Sequence, residues 1–356
     1  MKKKALLIEL NTYHEECLYS QITFLKNAGY WVGLAIHPAL EQSIQPYKSE
    51  IDTVYTSKND SKVFFIYRIY RVLKLYFFIL KTNSEIIVFN TASSKKEVIV
   101  LSYLLRKKRL FGILHNIKKL NTSLSQKIIC KNIKKYFVLN DFLLEKARES
   151  NPKLCYSSFY PIFFYDYEML HEYKKNETWV TIPGKIEFSR RDYNFIVDIL
   201  KELSRADNLK IILLGKLSSD NTQHNELQQN IDSFGLTEHF ILFDRYIENP
   251  EFHGYIKSSD YILIPIKEVD TKYQYDKIMG AYNLAFAYKK TLICPKGLEH
   301  FDDIKNNAIL YNGKDGLSKV LEAINNNENR TGKTAYHDRK WTFEEQQKKY
   351  ISFIEA

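Results

Sequence analysis

The chain is poor in cysteine. Cys17, Cys130, Cys155 and Cys294 lie far apart, with no ligand-type spacing. That argues against a disulfide framework or a zinc site and points to a reducing compartment. Glycine is scarce, at 12 of 356 residues, whereas tyrosine (26) and phenylalanine (22) are abundant. No stretch is long and uncharged enough to span a bilayer. The opening Met-Lys-Lys-Lys with the apolar residues 5–10 mimics a signal peptide. The run is too short and carries Glu9, so it reads as a first strand. There is no short repeat, and low complexity is confined to residues 325–328. No cluster has metal-ligand spacing, and neither a metal nor a cofactor is expected.

What is present is charge, unevenly spread. Residues 1–150 hold 25 Lys+Arg and 12 Asp+Glu, a balance of +13. The remainder holds 27 basic and 30 acidic residues, a balance of −3. Such asymmetry suggests an anionic partner for the first half, a membrane surface or nucleic acid. No recognised nucleic-acid motif accompanies it, so nucleic acid is not expected.

Apolar runs alternate with helical patterns along the whole chain, the mark of βαβ units and parallel sheets. Strands are expected at 4–10, 31–36, 52–55, 85–90, 109–114 and 135–139, with a helix over 15–28 and another over 141–149. A linker with Pro152 and Pro161 follows. Further strands are expected at 179–182, 209–214, 239–243, 261–264 and 291–294, with helices over 193–203, 222–234, 251–257, 277–288, 317–325 and 341–354. The polar loop Asn90-Thr91-Ala92-Ser93-Ser94 suits the cap of a following helix. The expected fold class is α/β, two tandem Rossmann-like doubly wound domains with a cleft between them. The first spans 1–160, the linker 161–177 and the second 178–335. A final helix in 336–356 packs back on the first.

Residues 182–193, Ile-Pro-Gly-Lys-Ile-Glu-Phe-Ser-Arg-Arg-Asp-Tyr, lie between an apolar run and a helical pattern. Free backbone N–H groups and the dipole at a helix N-terminus favour anions. With Lys185, Arg190 and Arg191 the turn suits phosphate; the alternative is a solvated basic loop. Over 63–80, Arg68, Arg71 and Lys74 recur every third residue and share one helix face, with Phe65, Ile66, Ile69, Leu73, Phe77 and Leu80 over much of the rest. A basic, aromatic, amphipathic helix fits a membrane interface, or a sheet-packing helix with a solvated basic edge.

Taken in order, these pieces resemble GT-B glycosyltransferases, loosely the bacterial family-4 type that builds capsule, exopolysaccharide and lipopolysaccharide. Gly184-Lys185 with Arg190-Arg191 resembles the loop that holds the donor diphosphate. Ile212-Leu213-Leu214-Gly215 resembles the strand that follows, and residues 243–247, with Tyr246, resemble the loop near the donor base. Ser259-Asp260-Tyr261-Ile262-Leu263-Ile264-Pro265 and Tyr275-Asp276-Lys277-Ile278-Met279-Gly280-Ala281 resemble the rest of the donor site. The resemblance implies donor-binding roles for Gly184, Lys185, Arg190, Arg191, Gly215, Tyr246, Asp276, Lys277, Gly280 and Asn283. It implies a UDP- or GDP-linked sugar as donor and a glycan or polyprenyl-linked acceptor.

The sequence departs from the family in two places. Of the two glutamates that retaining members carry, aligned positions hold Asp276 and Leu284, so the stereochemistry is open. The first loop has Asn11-Thr12-Tyr13 in place of a glycine pair. An inverting enzyme needs a base, and His14, Glu15 and His115 follow strands at the expected cleft. N-capping acids and a structural histidine are the alternatives. The expected activity is hexosyl transfer at the inner membrane face, with Arg68, Arg71 and Lys74 toward membrane or acceptor. A nucleotide-sugar epimerase of the same fold and a non-catalytic binding protein remain the alternatives. The oligomeric state is open.

Overall fold

The structure, a computed structural model, describes residues 2–56, 65–93, 95–167, 177–203, 208–267, 276–326, 328 and 336–356. The side chains of residues 65–68, 119 and 121 lie outside that description, and so do Ser94, Tyr275 and part of the expected linker. The chain divides into two compact units. One comprises Met1–Tyr165, Tyr275–Ile278 and Arg339–Ala356; the other comprises Asp166–Gln274 and Met279–Asp338.

The first unit is built on a parallel sheet of seven strands: β1 (Lys4–Glu9), β2 (Trp31–Ile36), β3 (Thr53–Thr56), β4 (Ile86–Phe89), β5 (Arg109–Leu114), β6 (Lys135–Leu139) and β7 (Cys155–Phe159). Their spatial order is β3-β2-β1-β4-β5-β6-β7. The second unit holds β8 (Thr178–Pro183), β9 (Leu209–Lys216), β10 (Phe240–Phe243), β11 (Tyr261–Leu263), β12 (Thr291–Pro295) and β13 (Ala308–Tyr311), ordered β10-β9-β8-β11-β12-β13. Both sheets start at the centre, wind outward, then reverse, which is the Rossmann arrangement. The reversal leaves a crevice at the carboxyl ends of β1 and β4, and of β8 and β11, where such sheets bind ligands. Central strands are apolar on both faces because helices cover both, so Ala5, Leu6, Leu7 and Ile8 are all buried in β1.

Two edge strands, β7 and β13, are absent from the sequence reading. Each is only four or five residues long, and Ser157 and Ser158 interrupt the apolar signal of β7. The C-terminal helix is Phe343–Glu355, and the Thr342 side chain caps it by accepting from Glu345 N. It packs on β7 and on the Leu18–Asn27 helix, and Tyr350 stacks on Phe137 with centroids 4.5 Å apart.

Several expected helices start elsewhere, and three of them bear on the candidate sites. The 15–28 helix opens as a 3-10 turn, Glu15–Cys17, before the α-helix Leu18–Asn27. The 193–203 helix runs Asn194–Glu202. The helix expected from Lys277 begins only at Gly280, because Asp276 is held elsewhere: its carbonyl accepts from Ile117 N and its carboxylate pairs with Lys146 at 2.8 Å. Nor do the described residues of the 90–94 loop, 90–93, cap a helix. The Lys96–Leu104 helix has Lys95 at its N-cap, without a side-chain bond.

The amphipathic helix runs Phe65–Thr82. Its basic face is less uniform than expected. Lys74 is exposed and Arg71 half-buried, while the Arg68 side chain is outside the described residues. Leu75 and Ile79 face the core, and Ile69, Leu73, Phe77 and Leu80 face solvent. Periodicity grouped residues by face but did not say which apolar face would be covered.

Candidate functional site

In the first unit, polar and titratable side chains gather where β1, β4 and β5 end. Glu9 closes β1 and is wholly buried. Its Oε1 accepts from Asn11 N (2.7 Å) and Asn11 Nδ2 (2.9 Å), and its Oε2 accepts from Asn90 Nδ2 (2.8 Å) and Thr91 Oγ1 (2.6 Å). Burial still raises the Glu9 carboxyl above its usual range, against those bonds. Asn90 is the hub. It also donates to the His14 carbonyl (2.8 Å) and accepts from Gln21 Nε2 (2.7 Å), whose own oxygen accepts from Tyr350 OH (3.0 Å). This network holds the loop after β1, in which His14 adopts φ 76°, a left-handed conformation uncommon outside glycine.

The loop brings His14 against His115 from the end of β5, rings stacked with centroids 3.6 Å apart and 16° between planes. His14 Nδ1 lies 3.0 Å from Glu16 Oε1. Burial pushes Glu16 up, but the His14 hydrogen bond and the nearby histidine charge outweigh it and hold the carboxyl below its usual range. An ionised carboxylate only accepts, so Nδ1 carries the proton and Nε2 of neutral His14 keeps a lone pair. His115 Nε2 donates to the Asn90 carbonyl at 2.7 Å. Burial, with the charge of His14 adding, lowers His115 to about 3, so it stays neutral at working pH. Lys277 belongs to this unit and its charge acts on His115 in the same direction.

His14, Glu16 and His115 each offer a ligand atom, all within 4.8 Å of one another, a set the sequence spacing did not reveal. The two imidazoles, however, face each other in a stack instead of converging on one point, which favours proton chemistry. Asn140, at the end of β6, is a further residue missed from sequence. It is wholly buried at φ 63°, with neither side-chain polar atom bonded among the described residues. Strain of that kind concentrates at functional rims.

Glu15 is set apart by its acidity. Burial, with the charge of Glu16 adding, raises it from 4.5 to about 7. Between those values the folded protein keeps a proton that the unfolded chain has released, so this group's contribution to stability falls as pH rises toward 7. Glu15→Gln is expected to melt a few degrees above the wild type at pH 8 and close to it at pH 5, as read by calorimetry at both pH values. An equal difference at the two pH values would refute the raised acidity.

In the second unit, the loop after β8 is shaped by Gly184 and Gly215. Gly184 sits at φ +97°, and a Cβ on Gly215 would meet the Gly184 carbonyl at 2.3 Å. The loop is stitched to the segment after β11: Asp192 N donates to the Pro265 carbonyl and Lys267 N to the Arg190 carbonyl, both at 3.0 Å. Of its three cations, two meet a carboxylate from the loop itself. Glu187 pairs with Arg190 and lies 3.5 Å from Lys185, whose side chain is mostly exposed. The Asp192 carboxylate accepts from Phe195 N (3.1 Å) and so occupies the helix N-terminus that was expected to be open.

Arg191 differs from the other two. Only 6% exposed, it has Nε and Nη1 buried without a hydrogen-bond partner among the described residues. Its Nη2 lies 3.7 Å from where a Cβ on Gly184 would stand. A buried, unpaired guanidinium is costly unless an anion satisfies it. Of the three cations in this loop, Arg191 is therefore the one that meets no carboxylate among the described residues.

Of the other expected donor residues, Asn283 is buried with its Oδ1 unbonded among the described residues, and Tyr246 is 64% exposed. Gly280 begins its helix with no described neighbour that requires a glycine there. Asp276 and Lys277 cluster with the first unit. The four cysteines are unpaired, and no helix among the described residues is long and apolar enough to cross a membrane.

Two tandem Rossmann-like domains of this order make a GT-B fold. No protein-family model matches the sequence, and no curated protein matches it. Among solved structures, the chain is similar to Anabaena HepE in complex with UDP and glucose (14% identity, 99% of this chain and 100% of that one, TM-score 0.67). It is similar to a glycosyltransferase from Rickettsia africae (12% identity, 99% and 98%, TM-score 0.64). It is also similar to the UDP-GlcNAc 2-epimerase of Neisseria meningitidis bound to UDP-GlcNAc (10% identity, 99% and 99%, TM-score 0.65). At these identities the likeness is one of fold.

Proposed function

We propose that the chain is a glycosyltransferase that moves a hexose from a UDP- or GDP-linked donor to a glycan or polyprenyl-linked acceptor, in capsule, exopolysaccharide or lipopolysaccharide synthesis at the cytoplasmic face of the cell membrane. The observation that carries this reading is Arg191, a buried cation without a protein anion among the described residues, at the point where the second sheet reverses. A nucleotide diphosphate supplies the missing anion, and the guanidinium stabilises the charge that develops on it as the sugar leaves. Solved structures of the same fold hold UDP or UDP-GlcNAc. No metal or cofactor takes part in this reading.

The first domain binds the acceptor. His14, its Nδ1 proton held by Glu16, accepts the acceptor hydroxyl proton at Nε2 as the oxygen attacks the anomeric carbon. With Leu284 in place of a second donor-site carboxylate, the displacement inverts the sugar.

The same fold also serves an epimerase, which turns over its nucleotide-sugar without an acceptor. UDP- and GDP-sugars incubated with and without membrane glycolipid extract separate the two. Release of nucleotide diphosphate that depends on the extract is expected. Acceptor-independent conversion of the sugar with no diphosphate released would replace transfer by epimerisation.

A further inference from the structure

The unusual surface of the first unit is made by three helices, Phe65–Thr82, Lys96–Leu104 and Leu124–Asn132. The second packs against both of the others. Thirteen large hydrophobic side chains are exposed among the described residues, and ten of them lie on these three helices. Leu73 and Phe77 represent the first helix, Tyr103 the second, and Leu124 and Ile128 the third; Phe77 is 63% and Leu124 77% exposed. A soluble surface scatters such residues singly, so this concentration marks an interaction site.

Charge narrows the occupant. The three helices carry seven Lys or Arg in sequence and one acid, Glu97. Lys74 and Lys81 lie beside the exposed apolar arc of the first helix, and both are exposed, as are Lys127 and Lys131 on the third. After the second helix, Arg106 covers the face of the Tyr103 ring at 4.2 Å. A second copy seated through a twofold axis would press this cationic patch against itself. Apolar and aromatic side chains ringed by lysine instead match the acyl boundary and anionic headgroups of a bilayer.

We infer that this three-helix face is a membrane-docking surface for anionic lipid. The apolar side chains enter the interface and the lysines engage the headgroups. It extends the helix singled out from sequence to the two helices beside it in the fold. It stands independently of the catalytic reading, because its test uses lipid binding alone.

The experiment is flotation of the full chain with vesicles of phosphatidylcholine, with and without phosphatidylglycerol, at low and high salt. Flotation is expected only with phosphatidylglycerol, weaker in high salt, with partitioning falling about fivefold for each lysine removed in Lys74→Ser, Lys81→Ser and Lys127→Ser. Phe77→Gln with Leu124→Gln, both at exposed positions, should abolish flotation while leaving the melting temperature unchanged. No flotation with anionic vesicles overturns the inference. So does a wild type that sediments as a dimer dissolved by Phe77→Gln, if it does not float, since the patch would then be a self-association surface.

Discussion

Arg191→Met is expected to weaken nucleotide binding by at least about tenfold and, at the same time, to raise the melting temperature of the free protein. Two effects of opposite sign meet at this residue. In the free protein the guanidinium is 6% exposed and two of its nitrogens lack a hydrogen-bond partner among the described residues. Methionine fills similar space without a buried charge, and replacing even a paired buried charge by apolar residues is often neutral or stabilising, by about 1–4 kcal/mol for a whole ion pair. With the diphosphate bound, the guanidinium gains its partner, and a charge-assisted hydrogen bond is worth roughly 1.5–3 kcal/mol. Affinity for UDP or GDP should therefore fall by at least about tenfold, while the unliganded variant melts a few degrees higher. Arg190→Met should behave differently, because Arg190 is already paired with Glu187 and its loss leaves that carboxylate only the exposed Lys185 at 3.5 Å. Calorimetric melting with and without nucleotide reads both quantities. A destabilised Arg191→Met variant with unchanged nucleotide affinity would move the phosphate site elsewhere.

The second large effect belongs to the histidine–glutamate pair. Glu16→Gln and His14→Ala should each lower kcat by about 10²–10⁴-fold, the usual contribution of a positioned base, with nucleotide affinity unchanged. Glu16 acts through His14: it holds the Nδ1 proton and leaves Nε2 free to accept. Glu16, held below its usual range, stays ionised through neutral pH. Glu16→Asp, which keeps a carboxylate, should recover part of the kcat that Glu16→Gln loses. Equal loss in the two variants would make Glu16 merely structural. His115, lowered to about 3, stays neutral and offers no charge to the reaction near neutral pH.

The strand runs, the two-domain alternation and the basic loop after β8 were all legible from the sequence alone. The physical reason is local. A parallel strand covered on both faces must be an unbroken apolar run, and a crossover helix must follow it. Gly184 and Arg191 were legible too, as a glycine and a cation at the end of such a run. Edge strand β7 was not, since Ser157 and Ser158 break its apolar run, and β13, which is as short as β4 and β10, was passed over as well.

The tertiary structure decided which partner each polar side chain meets, because partners come from distant segments. Glu9 was a charge at the end of a strand, and only folding showed Asn90 and Thr91 closing on it instead of capping a helix. Glu187 was one letter in a basic loop until it proved to neutralise Arg190 and leave Arg191 as the buried cation. His14 and His115 stack across a hundred residues of chain that no spacing rule connects. The Phe65–Thr82 helix makes the same point in energetic terms. Periodicity says which side chains share a face, but the neighbours available for packing decide which face is buried, and here they left Leu73 and Phe77 in solvent.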